Sequence, residues 1–163
     1  MTLIAAIYLI VNYKKMIFKN KLNMRGELSL RLIDANSGAL IATHTQKNLI
    51  TNLGYKAAAQ GMAEALAGAQ IKSVQVGTST TVPALTDTAI TGGVSVPITS
   101  ITYPDGAMVF EFSIGSGVAN GMNIVEFGLF TQDGRLFSRL VRDEIIAKTA
   151  DFTILGSWKI NLK

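Results

Sequence analysis

The 163 residues suffice for one domain with a sizeable core, and a composition of 48% hydrophobic and 16% charged residues excludes a disordered tail. The chain has no cysteine and one histidine, His44, which excludes disulfides, thiolate metal sites and two-histidine metal sites. The net charge of +4 comes from four lysines in residues 1–24, since residues 25–163 hold 11 basic and 11 acidic residues. This neutral body argues against a nucleic-acid-binding surface.

An unbroken apolar run of nine residues, Leu3–Val11, lies near the beginning of the sequence. It is shorter than the roughly 20 residues that cross a bilayer, and its lysines follow it, whereas those of a secretory signal precede it. Three interpretations are open: the run packs on a partner, anchors the chain at a membrane surface, or belongs to an upstream extension with Met24 as the natural start. The change of pattern at Met24 favours the third. We therefore predict that residues 1–23 are an extension, that residues 24–163 form one domain, and that no membrane is involved.

The first half of this domain predicts a hairpin followed by a helix. Apolar and polar residues alternate over residues 27–33, and after a turn-forming segment the chain is predicted to return as a second strand over residues 39–45. The stretch 53–67 is rich in alanine and has apolar residues at helical spacing. Thr51-Asn52 supplies candidate N-cap residues just before it. We predict one helix at this place.

A second hairpin is predicted around the turn Pro104-Asp105-Gly106. A short strand first ends at Gly77, and residues 78–93 are predicted to be a loop because they are rich in Thr, Gly and Ala. Strands over residues 94–103 and 107–114 then flank the turn. Proline presets the first turn angle, and glycine takes the left-handed conformation that closes the loop. This arrangement places the apolar residues of both strands on one face.

A third hairpin joins residues 122–130 to residues 135–141 through a turn that ends in Asp133-Gly134. Pairing Phe130 with Arg135 keeps most apolar side chains of the two strands on a common face. A shift by one residue would turn a charged side chain into the core, which a folded protein rejects. We therefore predict the Phe130–Arg135 register.

The other face of this hairpin holds charged and apolar side chains together. The predicted register places Glu126 directly opposite Arg139, and we predict an ion pair because an unpaired carboxylate on a covered face is costly. Ile124, Phe130 and Phe137 share this face, and we predict that they form an interface with another molecule. The alternative is that the helix covers them within the chain.

A last strand is predicted over residues 151–162, which brings the total to seven or eight strands and one helix. Strand-rich domains of this kind bury one face of each sheet against another layer. The pattern therefore predicts a mainly β fold, an antiparallel β-sandwich with the helix packed on an edge or a face.

The sequence contains none of the common catalytic motifs, such as a nucleophile elbow, a P-loop, a dinucleotide fingerprint or a zinc-protease helix. Asp87, Asp105 and Asp133 lie in turns, where aspartate commonly accepts hydrogen bonds from nearby backbone. Their spacing does not match a calcium loop. We predict a non-enzymatic protein with no catalytic, cofactor-binding or metal site.

Several short sequence motifs follow the alanine-rich helix in a characteristic order. In chain order they are Val74-Gln75-Val76-Gly77-Thr78, the loop from Val82 to Asp87, Phe110-Glu111-Phe112, Ile124-Val125-Glu126-Phe127-Gly128-Leu129-Phe130, and Thr131-Gln132-Asp133-Gly134 followed by Arg135-Leu136-Phe137. With these pieces, the sequence from about Thr51 to Leu162 resembles the attachment region of bacteriophage tail proteins. In particular, it resembles the N-terminal domain of tail fibre and tail-collar fibre proteins of contractile-tailed phages.

The resemblance implies a non-enzymatic virion protein that is assembled in the host cytoplasm with other tail or baseplate proteins and with copies of itself. Fibre proteins continue into a shaft and a receptor-binding tip, whereas this sequence ends at Lys163. We therefore expect an adaptor or fibre-attachment subunit of the tail, collar or baseplate. Two alternatives remain: a head-decoration or head-fibre protein, and a carbohydrate- or receptor-binding sandwich module.

Overall fold

The computed structural model describes residues 23–64 and 67–162, so residues 1–22 of the predicted extension lie outside the described part. Within the described residues the chain forms one α-helix, α1 (Asn52–Glu64), a short 3-10 turn (Ala67–Ala69) and eight strands. The strands are β1 (Met24–Asp34), β2 (Leu40–Ile50), β3 (Ile71–Gly77), β4 (Val94–Thr102), β5 (Ala107–Ile114), β6 (Asn123–Thr131), β7 (Leu136–Ala147) and β8 (Phe152–Leu162).

The strands close into an antiparallel barrel in the order β1-β2-β7-β6-β3-β4-β5-β8, so the predicted sandwich is wrong. The barrel consists of two sheets that are joined at their edges. Strands β2 and β4 close it because each of them pairs with one strand in each sheet. β2 pairs with β1 over Leu40–Asn48 and then with β7 through Leu49 and Ile50. β4 pairs with β3 over residues 94–97 and with β5 over residues 98–102. Strands that change sheets in this way form corners and join the two sheets into one.

Alternate side chains of the strands fill the barrel interior. Trp158 on β8 is fully buried, and its register partners are Leu28 on β1 and Phe110 on β5. Phe112 packs over Gly156, where a Cβ atom would overlap the Phe112 ring. The alternation read from the β5 sequence therefore does place its aromatic residues in the core.

Helix α1 follows β2 at one end of the barrel and packs against β7. Thr51 caps it, since its hydroxyl accepts a hydrogen bond from the Gly54 backbone N–H at 3.0 Å and donates one to the Leu136 carbonyl. At Gly54 the helix approaches β7 so closely that a Cβ atom would collide with the Phe137 carbonyl oxygen. Ala57, one turn further on, is fully buried. Small residues thus let the helix lie directly on the barrel end.

Candidate functional site

Glu126 on β6 and Arg139 on β7 form a buried ion pair. Their relative exposures are 0% and 4%. The Arg139 Nη2 and Nε atoms lie 2.7 Å and 2.8 Å from Glu126 Oε1, and Arg139 Nη1 lies 2.8 Å from Oδ2 of Asp87. Burial lowers the pKa of Arg139, but the hydrogen bonds to Glu126 and Asp87 outweigh it and raise this pKa above its usual value. Arg139 is therefore a fixed cation between two carboxylates.

The structure brings Glu126 and Arg139 together, but the predicted register is wrong. Glu126 lies opposite Val141, and Arg139 lies opposite Gly128. Phe130 lies opposite Leu136 and not Arg135, and a bulge at the Leu129–Phe130 step adds one further residue, so that the pairing at Glu126 and Arg139 differs from the predicted one by two residues. Because side chains alternate with a period of two, a shift of two keeps both charges on the same face, where they meet diagonally.

The second carboxylate oxygen of Glu126 holds the loop between β3 and β4, residues 78–93, which we call the strap. Glu126 Oε2 accepts hydrogen bonds from the backbone N–H of Ser79 at 3.3 Å and of Thr91 at 3.0 Å, close to the two ends of the strap. Gly77 lies beneath this junction, and a Cβ atom there would be 2.6 Å from the Thr91 carbonyl oxygen. One carboxylate thus fixes both ends of the strap.

Towards its C-terminal end, the strap packs over the outer face of β6 and β7. Ile90 of the strap, Phe130 and Leu136 all have a carbon atom within about 3 Å of the position that a Gly128 side chain would occupy. The absence of that side chain makes room for the three larger ones. The strap also reaches the beginning of α1, where the Asn52 backbone N–H donates to the Leu85 carbonyl at 2.9 Å.

The three residues predicted to form an interface are instead buried within the chain. Ile124, Phe130 and Phe137 have relative exposures of 0%, 5% and 3%. Ile124 and Phe137 belong to the main hydrophobic core, which α1 joins through Ala57, whereas Phe130 lies under the strap. The three residues are therefore covered within the chain, but the helix does not cover them all: Gly54 of α1 adjoins Phe137, whereas Phe130 is covered by the strap, which the sequence did not reveal.

The sequence predicted one of the two contacts of Asp87, the hydrogen bond within its turn, but not the other. Asp87 does accept a turn hydrogen bond, from the Ala84 backbone N–H at 2.8 Å. Its contact with Arg139, however, joins residues 52 positions apart. A sequence pattern reveals neighbours within a turn or a strand, and contacts between distant segments leave no comparable signal.

The predicted motif turns at Asp105-Gly106 and Gly134 are present and adopt positive φ. The angles are 42° at Asp105, 73° at Gly106 and 83° at Gly134. Two consecutive left-handed residues are typical of the tight turns that suit the strand twist, and aspartate tolerates this conformation better than most residues. The prediction assigned the left-handed conformation to Gly106 alone.

Asp133 connects the β6–β7 turn to the helix. Arg135 donates to Asp133 and lies 2.7 Å from it, and the Thr131 hydroxyl donates to it at 2.6 Å. These two contacts, the Arg135 hydrogen bond first, lower the pKa of Asp133 to about 2. Arg135 also donates to Oε1 of Gln60 on α1 at 2.6 Å. The turn therefore holds the helix in place.

An apolar groove of about 600 Å³ lies beside α1 at the end of the barrel; we call it the end groove. Met62 on α1 and Tyr103 after β4 line it with relative exposures of 70% and 73%. Ile101 and Leu162, which also line it, are 39% and 42% exposed. Large apolar side chains grouped in this way on a surface are typical of a docking site.

Among the described residues, two further cations are buried, Arg142 and Lys148. The Lys148 ammonium donates to Asn120 Oδ1 at 3.1 Å and to the Thr149 carbonyl at 2.6 Å. Burial lowers the pKa of Lys148 and of Arg142, and nearby acidic residues offset part of the effect.

Within residues 23–64 and 67–162, no three His, Cys, Asp or Glu side chains are grouped as metal ligands. No helix in the same part of the chain is long and apolar enough to span a membrane.

Comparison of the chain with family models, with curated proteins and with solved structures found no match.

Proposed function

We propose that this chain is a non-enzymatic structural protein of a phage virion, an adaptor or fibre-attachment subunit of the tail, collar or baseplate. The observation that carries the proposal is that several pieces of the resemblance to tail fibre proteins meet in one place. Gly77, Asp87, Glu126 and Gly128 come from three of those pieces, and all four lie around the strap.

The contacts at the strap account for the residue types in these pieces. A carboxylate at position 126 accepts two strap N–H groups and an arginine, and glycine at positions 77 and 128 leaves room for the strap. An ordered set of motifs that builds one connected unit is stronger support for a family resemblance than the same motifs at unrelated sites.

The chemistry of this unit supports a structural role. The charges of Glu126, Arg139 and Asp87 are used in contacts with one another and with backbone groups. A general base or nucleophile must instead be free to reach a substrate proton or a reacting atom. The strap unit therefore stabilises a loop and does not supply a reactive group.

Assembly with other tail or baseplate proteins and with further copies of the chain is part of the proposal. Charged residues make up 16% of the sequence, compared with about 25% in typical soluble domains. A thinly charged surface is compatible with extensive contacts, and rotational symmetry is the usual arrangement of identical subunits.

The proposal is tested on purified particles of the phage that encodes this chain. Chemical crosslinking followed by mass spectrometry is expected to connect residues 24–163 with tail, collar or baseplate proteins, and a particle reconstruction is expected to place the barrel there. Crosslinks confined to head proteins would overturn the tail assignment in favour of head decoration. Failure to find the chain in particles, together with glycan binding by the isolated protein, would overturn a virion role.

A further inference from the structure

The end groove exposes apolar side chains at the place where the described chain begins. Met24, the first residue of β1, lies opposite Leu162 of β8, and Leu162 lines the groove. The described chain therefore begins close to the groove. The residues before Met24 contain the longest apolar run in their part of the sequence, Leu3–Val11.

In place of the interpretation that residues 1–23 are an extension with Met24 as the natural start, we propose that the end groove binds the segment Leu3–Val11 of its own chain. The segment consists of nine consecutive apolar residues, which match a groove lined by Met62, Ile101, Tyr103 and Leu162. Burying apolar side chains on both surfaces removes them from water, and this is the driving force for docking.

The connection between the segment and β1 is long enough for docking. Residues 12–23 separate the two, and twelve extended residues span at most roughly 40 Å. A tethered segment also has an effective concentration in the millimolar range, so weak intrinsic affinity is sufficient. The connection carries Lys14, Lys15, Lys19 and Lys21, whose charges favour a solvated linker.

This docking differs from the role of the strap. The outer face of β6 and β7 is already covered, because Phe130 there is 5% exposed, whereas Tyr103 in the end groove is 73% exposed. Within residues 23–64 and 67–162, the end groove is thus an apolar surface with room for a further segment. The inference does not depend on a phage origin.

The natural lack of cysteine permits a direct test with the full-length chain. Ile7→Cys is combined with Met62→Cys, and a matched control combines Ile7→Cys with Val82→Cys. Val82 is 80% exposed but lies on the strap, outside the groove lining. With a short bis-maleimide at low protein concentration, we expect the Met62 pair to crosslink at monomer mass several-fold faster than the Val82 pair.

Equal crosslinking rates for the two pairs would overturn the proposal. Crosslinks found only at dimer mass would overturn it in favour of docking on a second copy. A second measurement uses oxidation of Met62 by dilute peroxide, followed by mass spectrometry. Ile7→Asp should accelerate the oxidation of Met62 and leave Met122, which lies outside the groove lining, unchanged. An unchanged Met62 rate would contradict docking even if the crosslinked variants were misfolded.

Discussion

The outer face of β6 and β7 and the end groove are both apolar surfaces of this barrel, but they differ in how they are covered. On the outer face of β6 and β7 the strap packs over Phe130, which is 5% exposed. At the end groove, Tyr103 and Met62 are 73% and 70% exposed. The two surfaces therefore differ in their accessibility to solvent.

The difference lies in the polar partners that each surface offers. An irregular segment can cover a strand face only if its backbone N–H groups find acceptors, because an unpaired buried donor is costly. Glu126 supplies such an acceptor to both ends of the strap, and Arg139 balances its charge. The groove is lined mainly by apolar side chains, so a segment that docks there must satisfy its own backbone, as a helix does.

The largest effect is expected from Glu126→Ala, which removes the acceptor that holds the strap. The change leaves Arg139 with Asp87 alone and leaves the strap N–H groups of Ser79 and Thr91 without their acceptor. Breaking a buried pair from one side costs about 3–5 kcal/mol. Urea denaturation measures this loss in the free energy of unfolding.

Glu111→Ala is the matched control, because Glu111 is a half-buried β5 carboxylate that accepts one hydrogen bond, from Ser157 at 2.9 Å. The free energy of unfolding should fall clearly less in Glu111→Ala than in Glu126→Ala. Equal losses in the two variants would mean that the contacts of Glu126 with the strap do not contribute more to stability than an ordinary half-buried carboxylate does.

A smaller loss is expected from Gly77→Ala, which introduces a methyl group beneath the strap. Its Cβ atom would lie 2.6 Å from the Thr91 carbonyl oxygen, so the strap must move outward. Overpacking of this kind costs about 1–3 kcal/mol. Hydrogen exchange should show faster exchange of the Thr91 N–H. Gly117→Ala is the control, since nothing lies within 4 Å of its Cβ position; the same change in exchange there would disprove the steric explanation.

Acid titration should reveal a still smaller contribution from Asp133, which fixes the turn beside α1. Its pKa in the folded protein is lowered from the ordinary aspartate value of 3.8 to about 2. A carboxyl group whose pKa is lower in the folded protein than in the unfolded chain stabilises the fold at pH values above its unfolded pKa. This contribution is lost as the pH falls from about 4 to about 2. Asp133→Asn should therefore flatten the fall in stability over this range, which thermal unfolding at several pH values measures. An unchanged slope would show that other carboxyl groups dominate.

The smallest effect on stability is expected from Tyr103→Ala in the end groove. Substitutions of exposed residues usually change the free energy of unfolding by no more than about 0.5 kcal/mol. Phe130→Ala under the strap provides the contrast, because removal of a buried aromatic side chain costs about 3–5 kcal/mol. Thermal and urea unfolding of the two variants compares the surfaces directly. Similar losses would show that the two surfaces are equally covered.

Local patterns in the sequence determined where most elements lie. β5 runs from Ala107 to Ile114, as predicted from its alternation and the preceding turn, and Thr51 caps α1. The shared face of Glu126 and Arg139 was also predictable. These features depend on residues a few positions apart or on the two-residue period of a strand, and a shift of two residues in register leaves that period unchanged.

Only the tertiary structure decided how these elements close and which surfaces they cover. The barrel closes through Leu49 and Ile50 of β2 against β7, and the strap is fixed through Asp87 and Glu126. Each of these contacts joins segments that are far apart in the chain. Such contacts form only when the packing of the whole domain compensates the entropy lost in closing long loops, and no local pattern records that balance.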